Sequence, residues 1–345
     1  MNKLQKTGQD VITYCANIGQ DRLLVQAAGG NASWKDNNIL WIKASGTWLA
    51  DSLNKDIFIP VDLEKALHAI ADQDFIPMIK SLEGEMRPSI ETMLHAMMPQ
   101  RIVLHLHPVD VVAQLIKPNH LQLLHQKFNG VINWVNVKYQ KPGGNLAKDV
   151  FQALNGKTDI NLVFLENHGL IIGGNTVEEI DSILNFTINN LRLQSKHGQH
   201  LFEKNANAVK WLNCFPGYQF CIDTHLNSLS LNPALYDMLQ KYWTICPDHV
   251  VFLGPQASCI DEIQNHVEIG RINSDKPPFI FVKQCGVLQE KSTTPTQVAQ
   301  LQFYLDVMER LSPDDNIITL SDNEVSDLID WDAEKYRIIL SQRIN

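Results

Sequence analysis

Across 345 residues no run of about 18 apolar residues occurs, so no membrane-spanning helix and no membrane partner are expected. Basic residues are in deficit. Twenty-nine Lys and Arg stand against 38 Asp and Glu, a net charge of -9. That balance argues against a nucleic-acid partner, because broad contact with a phosphate backbone needs clustered cations. It leaves room for a small basic pocket around an anionic metabolite. The six cysteines, at 15, 214, 221, 246, 259 and 285, are scattered and form no C-x-x-C pair. Free thiols in a reducing compartment are the expectation. The first twenty residues hold no apolar signal core, which points to a cytoplasmic protein. No internal repeat, Walker loop or G-x-G-x-x-G fingerprint occurs, so a nucleotide site is not the first expectation. What is present is 44% hydrophobic and 19% charged, a globular composition able to bury a sizeable core.

Strand and helix patterns mix along the whole chain. Val11, Cys15 and Ile18 recur at helical spacing near the start. "NILWIKASGTW" reads as a strand ending in a turn at Gly46, and Asp62 as the N-cap of a helix through "LEKALHAIADQ". A further helix is predicted through "SIETMLHAMM", then a strand "RIVLHLH" stopped by Pro108. "INLVFLEN" is a strand running into "HGLIIGG"; Thr176 and Glu179 fit a capping box for the next helix. Polar and turn residues in "NANAVKWLNCFPGYQ" mark a boundary. Beyond it, "HVVFLG" and "PPFIFVKQCGVLQ" read as strands. Thr294, Pro295 and Gln297 open a helix, and a last helix from about Asn323 is expected to bury Leu328, Ile329 and Ile339 or their neighbours. The expectation is an α/β layered fold with two parts, residues 1–212 and a C-terminal α/β extension over 213–345.

"IVLHLHPVD" sets two histidines in an apolar strand. Side chains alternate along a strand, so Val103, His105 and His107 share one face. Two imidazoles so spaced can chelate one ion, yet the spacing serves a packed pair equally well. A third histidine, His168, sits where "LVFLEN" ends and a glycine turn begins. Three histidines with a fourth position open are the pattern of a catalytic zinc. Glu91 stands at a predicted helix start just upstream. It is a candidate base, although acidic residues favour first turns for dipole reasons alone. "AAGGNASWKD", "KASGT" and "RPSIE" add Asn31, Ser33, Lys43, Ser45, Gly46 and Ser89. Hydroxyls, glycine amides and a helix start suit a phosphate, and turns use the same residues.

In order, "GGNASW", "KASGT", "PSIETMLHA", "VLHLHP" and "LENHGLIIGG" resemble the class II aldolase/adducin family, over roughly residues 10–200. The phrases "PSIETMLHAMMP", "YQKPGGNLA" and "IDWDAEKYR" look like the aldolase half of the bifunctional rhamnulose-1-phosphate aldolase/dehydrogenases; this chain ends about where their dehydrogenase would begin. The resemblance implies a three-layer α/β/α fold around a mostly antiparallel sheet. It implies Zn2+, or another divalent metal, on His105, His107 and His168, with Glu91 as catalytic carboxylate. It assigns Asn31, Ser45, Gly46 and Ser89 to a substrate phosphate. It also implies a small phosphorylated sugar as substrate and a homo-oligomer, a tetramer with sites at subunit interfaces. The implied reaction is aldol cleavage or formation of a ketose phosphate through a metal-stabilised enediolate of dihydroxyacetone phosphate. Relatives use the same site for epimerisation, dehydration or acid-sugar decarboxylation, and adducin heads share the fold as binding modules without it. Short aldolases carry a second serine where Ile90 stands, which leaves one phosphate hydroxyl unaccounted for. Lys43 could supply charge there, Tyr139 and Tyr336 are candidate proton donors, and His95 reads as a packing residue beside Glu91.

Overall fold

The computed structural model describes residues 3–197, 206–262 and 266–329. The chain divides into two compact units, Met1–Arg192 and Leu193–Asn345. In the first, β1 (Asn31–Asp36), β2 (Ile39–Lys43), β3 (Phe58–Asp62), β4 (Ile102–Leu106), β5 (Trp134–Val137), β6 (Leu162–Leu165) and β7 (Gly169–Gly174) form one sheet. Their order is β3-β2-β1-β4-β7-β6-β5. Only the β5–β6 pairing is parallel. The expected mostly antiparallel sheet is therefore present.

Helices cover both faces. Against one face, α2 (Leu63–Ala71), α3 (Thr92–Met97) and α6 (Gly144–Leu154) bury Ala66, Leu94 and Val150 over Ile42, Val103 and Val163. Against the other, α1 (Lys3–Ile18), α4 (Val109–Leu115), α5 (His120–Phe128) and α7 (Val177–Leu191) bury Cys15, Val111, Phe128 and Leu184 over Trp34, Leu104 and Phe164. The two sets come from alternate strand positions, as the pleat requires. Asp62 caps α2 by accepting from Lys65 N, and Thr176 caps α7 by accepting from Glu179 N. Glu179 turns back to Asn175 N, one residue before the cap, so the Thr176–Glu179 pair is not the reciprocal box expected.

β1 was legible only as a glycine-rich turn. Its polar side chains Asn31 and Ser33 point into a buried face, so the usual apolar-in, polar-out alternation is absent. Register then does the placing. Asn31 lies opposite His105 and Ser33 opposite Val103, so these four share the face that carries Glu91's helix.

The second unit contains α8 (Ala206–Cys214), β8 (Tyr218–Phe220), α9 (Ser228–Leu231), α10 (Pro233–Lys241), α11 (Pro247–Leu253), β9 (Cys259–Ile260), α12 (His266–Asp275), β10 (Phe279–Val282), β11 (Gly286–Glu290), α13 (Pro295–Glu309) and α14 (Asp322–Ile329). Its sheet runs β8-β11-β10-β9. Residues 206–214, within the boundary-like stretch, form α8, with Trp211 buried. "HVVFLG" is helix α11, not a strand. Pro247 fixes its first turn and Asp248 follows, and four apolar residues in a row cannot separate a buried helix from a strand by period. "PPFIFVKQCGVLQ" is not one strand but the hairpin β10–β11, turned where Gln284 (φ 54°) and Gly286 (φ 133°) take left-handed angles. Thr294 and Gln297 form the predicted capping box of α13. In α14, Val325 and Leu328 are buried, whereas Ile329 is 42% exposed because it falls on the outer face of the last turn. Tyr336 and Ile339 lie outside the described residues.

Candidate metal centre

The three histidines converge from two neighbouring strands. β4 ends at Leu106, and His107 continues the alternation for one residue before Pro108 opens α4. His105 and His107 are thereby both turned to the face of Asn31 and Val103. His168 arrives from the 166–168 turn between β6 and β7. Asn167 holds φ 52° there, a left-handed angle that asparagine tolerates, and His168 N donates to Leu165 O at 3.1 Å. The next residue must be glycine. A Cβ on Gly169 would lie 2.2 Å from Leu106 O and 3.0 Å from His107 Cδ2. The ligand-bearing ends of β4 and β7 can approach only because that side chain is missing. Gln26 adds a pin from outside the sheet, donating from Nε2 to His107 O at 3.3 Å.

All three imidazoles are buried, with ring centroids 4.8–4.9 Å apart. One ligand nitrogen from each lies within 4.8 Å of the others, so the group could hold a metal ion. The bonding of His105 bears on that directly. Its Nδ1 lies 2.9 Å from the Leu170 carbonyl. A carbonyl only accepts, so the neutral ring carries its proton on Nδ1 and presents a lone pair at Nε2. That Nε2 lies 3.0 Å from His107 Nε2. Nitrogens held about 2.0–2.1 Å from one tetrahedral first-row ion stand about 3.4 Å apart, so the convergence fits such an ion. Three imidazole nitrogens beside a carboxylate suit zinc or a similar first-row metal better than calcium or magnesium, which favour oxygen.

Glu91 is the residue just before α3, with φ -100° and ψ 15°. Its amide donates to Ser89 Oγ at 3.2 Å, and its carboxylate is buried. Oε2 accepts from Asn31 Nδ2 at 2.7 Å and lies 3.4 Å from His105 Nε2. Oε1 lies 3.6 Å from His168 Nε2 and accepts no hydrogen bond. One turn later, His95 is fully buried with Nδ1 2.8 Å from Ser33 Oγ. Burial first, then nearby His105, Lys35 and Lys43, holds its imidazole well below the usual range, so it is neutral.

The residues expected to hold a phosphate divide. Ala44 bridges Pro88, and Ser45 N donates to Arg87 O at 2.9 Å. The Ser45–Gly46 turn is therefore tied to the segment that leads through Ser89 into Glu91. Asn31 joins the cluster through Glu91. Lys43 is 1% exposed and donates to Ala28 O at 3.0 Å and Thr47 O at 2.6 Å. Those carbonyls engage its charge in holding the loops on either side of β1 and β2. Tyr139 lies in the link between β5 and α6. Sequence reasoning missed three contributors, the Leu170 carbonyl, Gln26 and Asn167, and read Gly169 only as the start of a turn. Only Asn167 and Gly169 carried a signal, as an Asn and a Gly on either side of a buried ligand candidate.

Comparison with known proteins places this geometry. A Bacillus subtilis protein described as the uncharacterized oxidoreductase YuxG is 30% identical over 190 residues, which cover 50% of this chain. The matched stretch spans 27% of that relative's length. The N-terminal class II aldolase domain of a conserved Thermoplasma acidophilum protein is 26% identical, covering 53% of this chain and 90% of that one, with a TM-score of 0.46. An L-fuculose-1-phosphate aldolase from Thermus thermophilus is 18% identical, covering 52% and 92%, with a TM-score of 0.36. Residues 9–183, the stretch that builds the sheet and brings the three histidines to Glu91, match the family model of the class II aldolase and adducin N-terminal domain, and the chain belongs to that family.

Proposed function

We infer that this chain is a zinc-dependent aldolase acting on a phosphorylated ketose. The single observation that carries this reading is the meeting of His105, His107 and His168 with the buried Glu91 carboxylate. Zinc held by the three imidazoles would supply Lewis-acid chemistry, offsetting negative charge on the ketose oxygens when a neighbouring carbon loses its proton.

The chain's own residues do the rest. Glu91 takes the carbon-bound proton. Its Oε1, with no hydrogen bond of its own, is the oxygen free to receive it. The proton returns from the same carboxyl when the reaction runs backwards. Ser45, the Gly46 turn and Ser89, tied to one segment beside Glu91, would hold the phosphate and fix which carbon faces the carboxylate. Burial of the three imidazoles and of the Glu91 carboxylate raises the strength of each electrostatic contact among them.

The test is product analysis. Zinc-loaded protein given rhamnulose 1-phosphate or fuculose 1-phosphate should release dihydroxyacetone phosphate. NMR of the same mixture separates the outcomes, because an epimer keeps all its carbons and a decarboxylase would leave these substrates untouched. Absence of cleavage for every ketose phosphate tried would overturn the aldolase reading.

A further inference from the structure

We propose that a cavity on the α1 face of the first unit's sheet, walled by Trp34, Trp41 and Phe58 and rimmed by Asp36 and Asp56, binds a small organic cation of the alkylammonium class. The cavity measures about 310 Å3 and lies among α1, the strands β1 to β3 and the loop that leads into β3. That is the low end of the range for ligand clefts, about 300–1,000 Å3, and suits a small molecule rather than a chain segment. It is separate from the metal centre. Trp34 packs with Cys15 and Leu104 on one face of the sheet. The residue before it, Ser33, turns to the other face, where it meets His95 of α3.

The wall and the rim together define the class of ligand. The indoles of Trp34 and Trp41 lie parallel, at 8° with centroids 5.7 Å apart, and Phe58 stands at 60° to Trp34, 5.0 Å away. Trp41 and Phe58 are only partly buried. Aromatic rings carry negative potential on their faces, and the indole attracts cations most strongly. The charged side chains of the lining are Asp36, Asp56 and Lys55. Lys55 Nζ is paired with Asp51 at 2.9 Å, and the Ser52 hydroxyl in the lining already donates to Ile12 O at 2.7 Å. Two carboxylates therefore stand against one engaged ammonium. An anion is repelled there, and a neutral sugar meets an excess of acceptors. A cation meets both π surface and carboxylate charge.

The space is also kept open by the sequence. Gly8 sits inside α1, where glycine is an unfavourable helix residue. A Cβ there would stand 3.0 Å from Trp34 Cζ2. Gly8 itself lines the cavity, so a side chain at that position would take up part of it and press on the ring.

The test uses the full chain, labelled with 15N-tryptophan, and tetramethylammonium chloride as probe. The Trp41 indole signal, assigned by its loss in Trp41→Leu, should shift saturably with tetramethylammonium and stay in place with sodium chloride at equal ionic strength. Affinities come from ligand-observed NMR titration. tert-Butanol, a neutral molecule of nearly the same shape, should bind at least ~10-fold more weakly than the cation. Trp41→Leu keeps an apolar wall and removes a π face, and should weaken tetramethylammonium binding ~10-fold or more. Asp56→Asn, on the exposed loop, should weaken it ~2- to 5-fold. A shift that does not saturate, equal binding of tert-butanol, saturation by glucose in place of the cation, or wild-type affinity in Trp41→Leu overturns the proposal. None of His105, His107, His168 and Glu91 lines the cavity, so the aldolase reading stands or falls separately.

Discussion

Both units bury histidines, and they use them in opposite ways. In the first, His105, His107 and His168 meet at one point, with a carbonyl setting one ring's proton and a carboxylate alongside. In the second, His249 is fully buried between Trp243, 4.2 Å away, and Tyr304, 4.8 Å away, and neither ring nitrogen has a hydrogen-bond partner. Burial pushes that imidazole down to about 3. The difference teaches that a buried imidazole is not itself a site. What makes one is convergence, an oriented lone pair and a charge nearby. A lone ring among aromatics is packing.

Breaking the first set should cost the most. His107→Ala is expected to remove the metal and lower turnover at least ~1,000-fold, the scale of several kcal/mol of charge stabilisation. Far-UV circular dichroism should stay unchanged, because His107 lies beyond the last ladder residue of β4. Glu91→Gln should lower turnover ~100- to 10,000-fold while zinc binding measured by calorimetry persists. Retention of wild-type turnover in either variant contradicts the contrast.

A smaller effect is expected behind the site. His120 faces two acceptors, the Lys117 carbonyl at 2.7 Å and Glu166 Oε1 at 3.0 Å, and Glu166 also accepts from Asn136 at 2.6 Å. Burial opposes a charge on His120, but the Glu166 bond, the carbonyl and the carboxylate's charge together raise its pKa. This pair fastens the turn that carries His168. His120→Gln should weaken zinc binding ~10- to 100-fold without abolishing it. Because the folded value is raised, the pair's contribution to stability is complete below pH 6.5 and fades as pH climbs through that raised value.

The second unit should answer to pH in the other direction and with the least effect on activity. His249 is held neutral, so its folded value is depressed. Its contribution is complete above pH 6.5 and is lost as pH falls from there toward 3. His249→Phe removes that titration and two unsatisfied nitrogens. Denaturant unfolding at pH 7 should shift by less than ~1.5 kcal/mol, and the variant should lose less stability than the wild type between pH 7 and pH 4. Equal losses would show that His249 does not titrate as its surroundings demand.

The convergence of the three histidines, the candidate metal set, was largely legible in the sequence because its signals are local. Period two turns His105 and His107 to one face, and "NHG" marks a ligand candidate at a strand end. The capping box at Thr294 and the cap at Asp62 are local too. Pairing-dependent features were not legible. Asn31 and Glu91 are sixty residues apart, and only the β1–β4 register brings them together. Strand β1 itself was hidden by turn-like surroundings, the two glycines and polar residues before Trp34. "HVVFLG" read as a strand because a short apolar run has no period of its own. His249 gave no sign of its isolation, since that depends on rings brought from elsewhere in the chain.

The most direct test is a calorimetric titration of metal-stripped full-length chain with zinc, run beside His107→Ala. One tight site per chain in the wild type and its loss in the variant is the predicted result. No binding by the wild type, or equal binding by both, would contradict the claim that these three imidazoles form a metal centre.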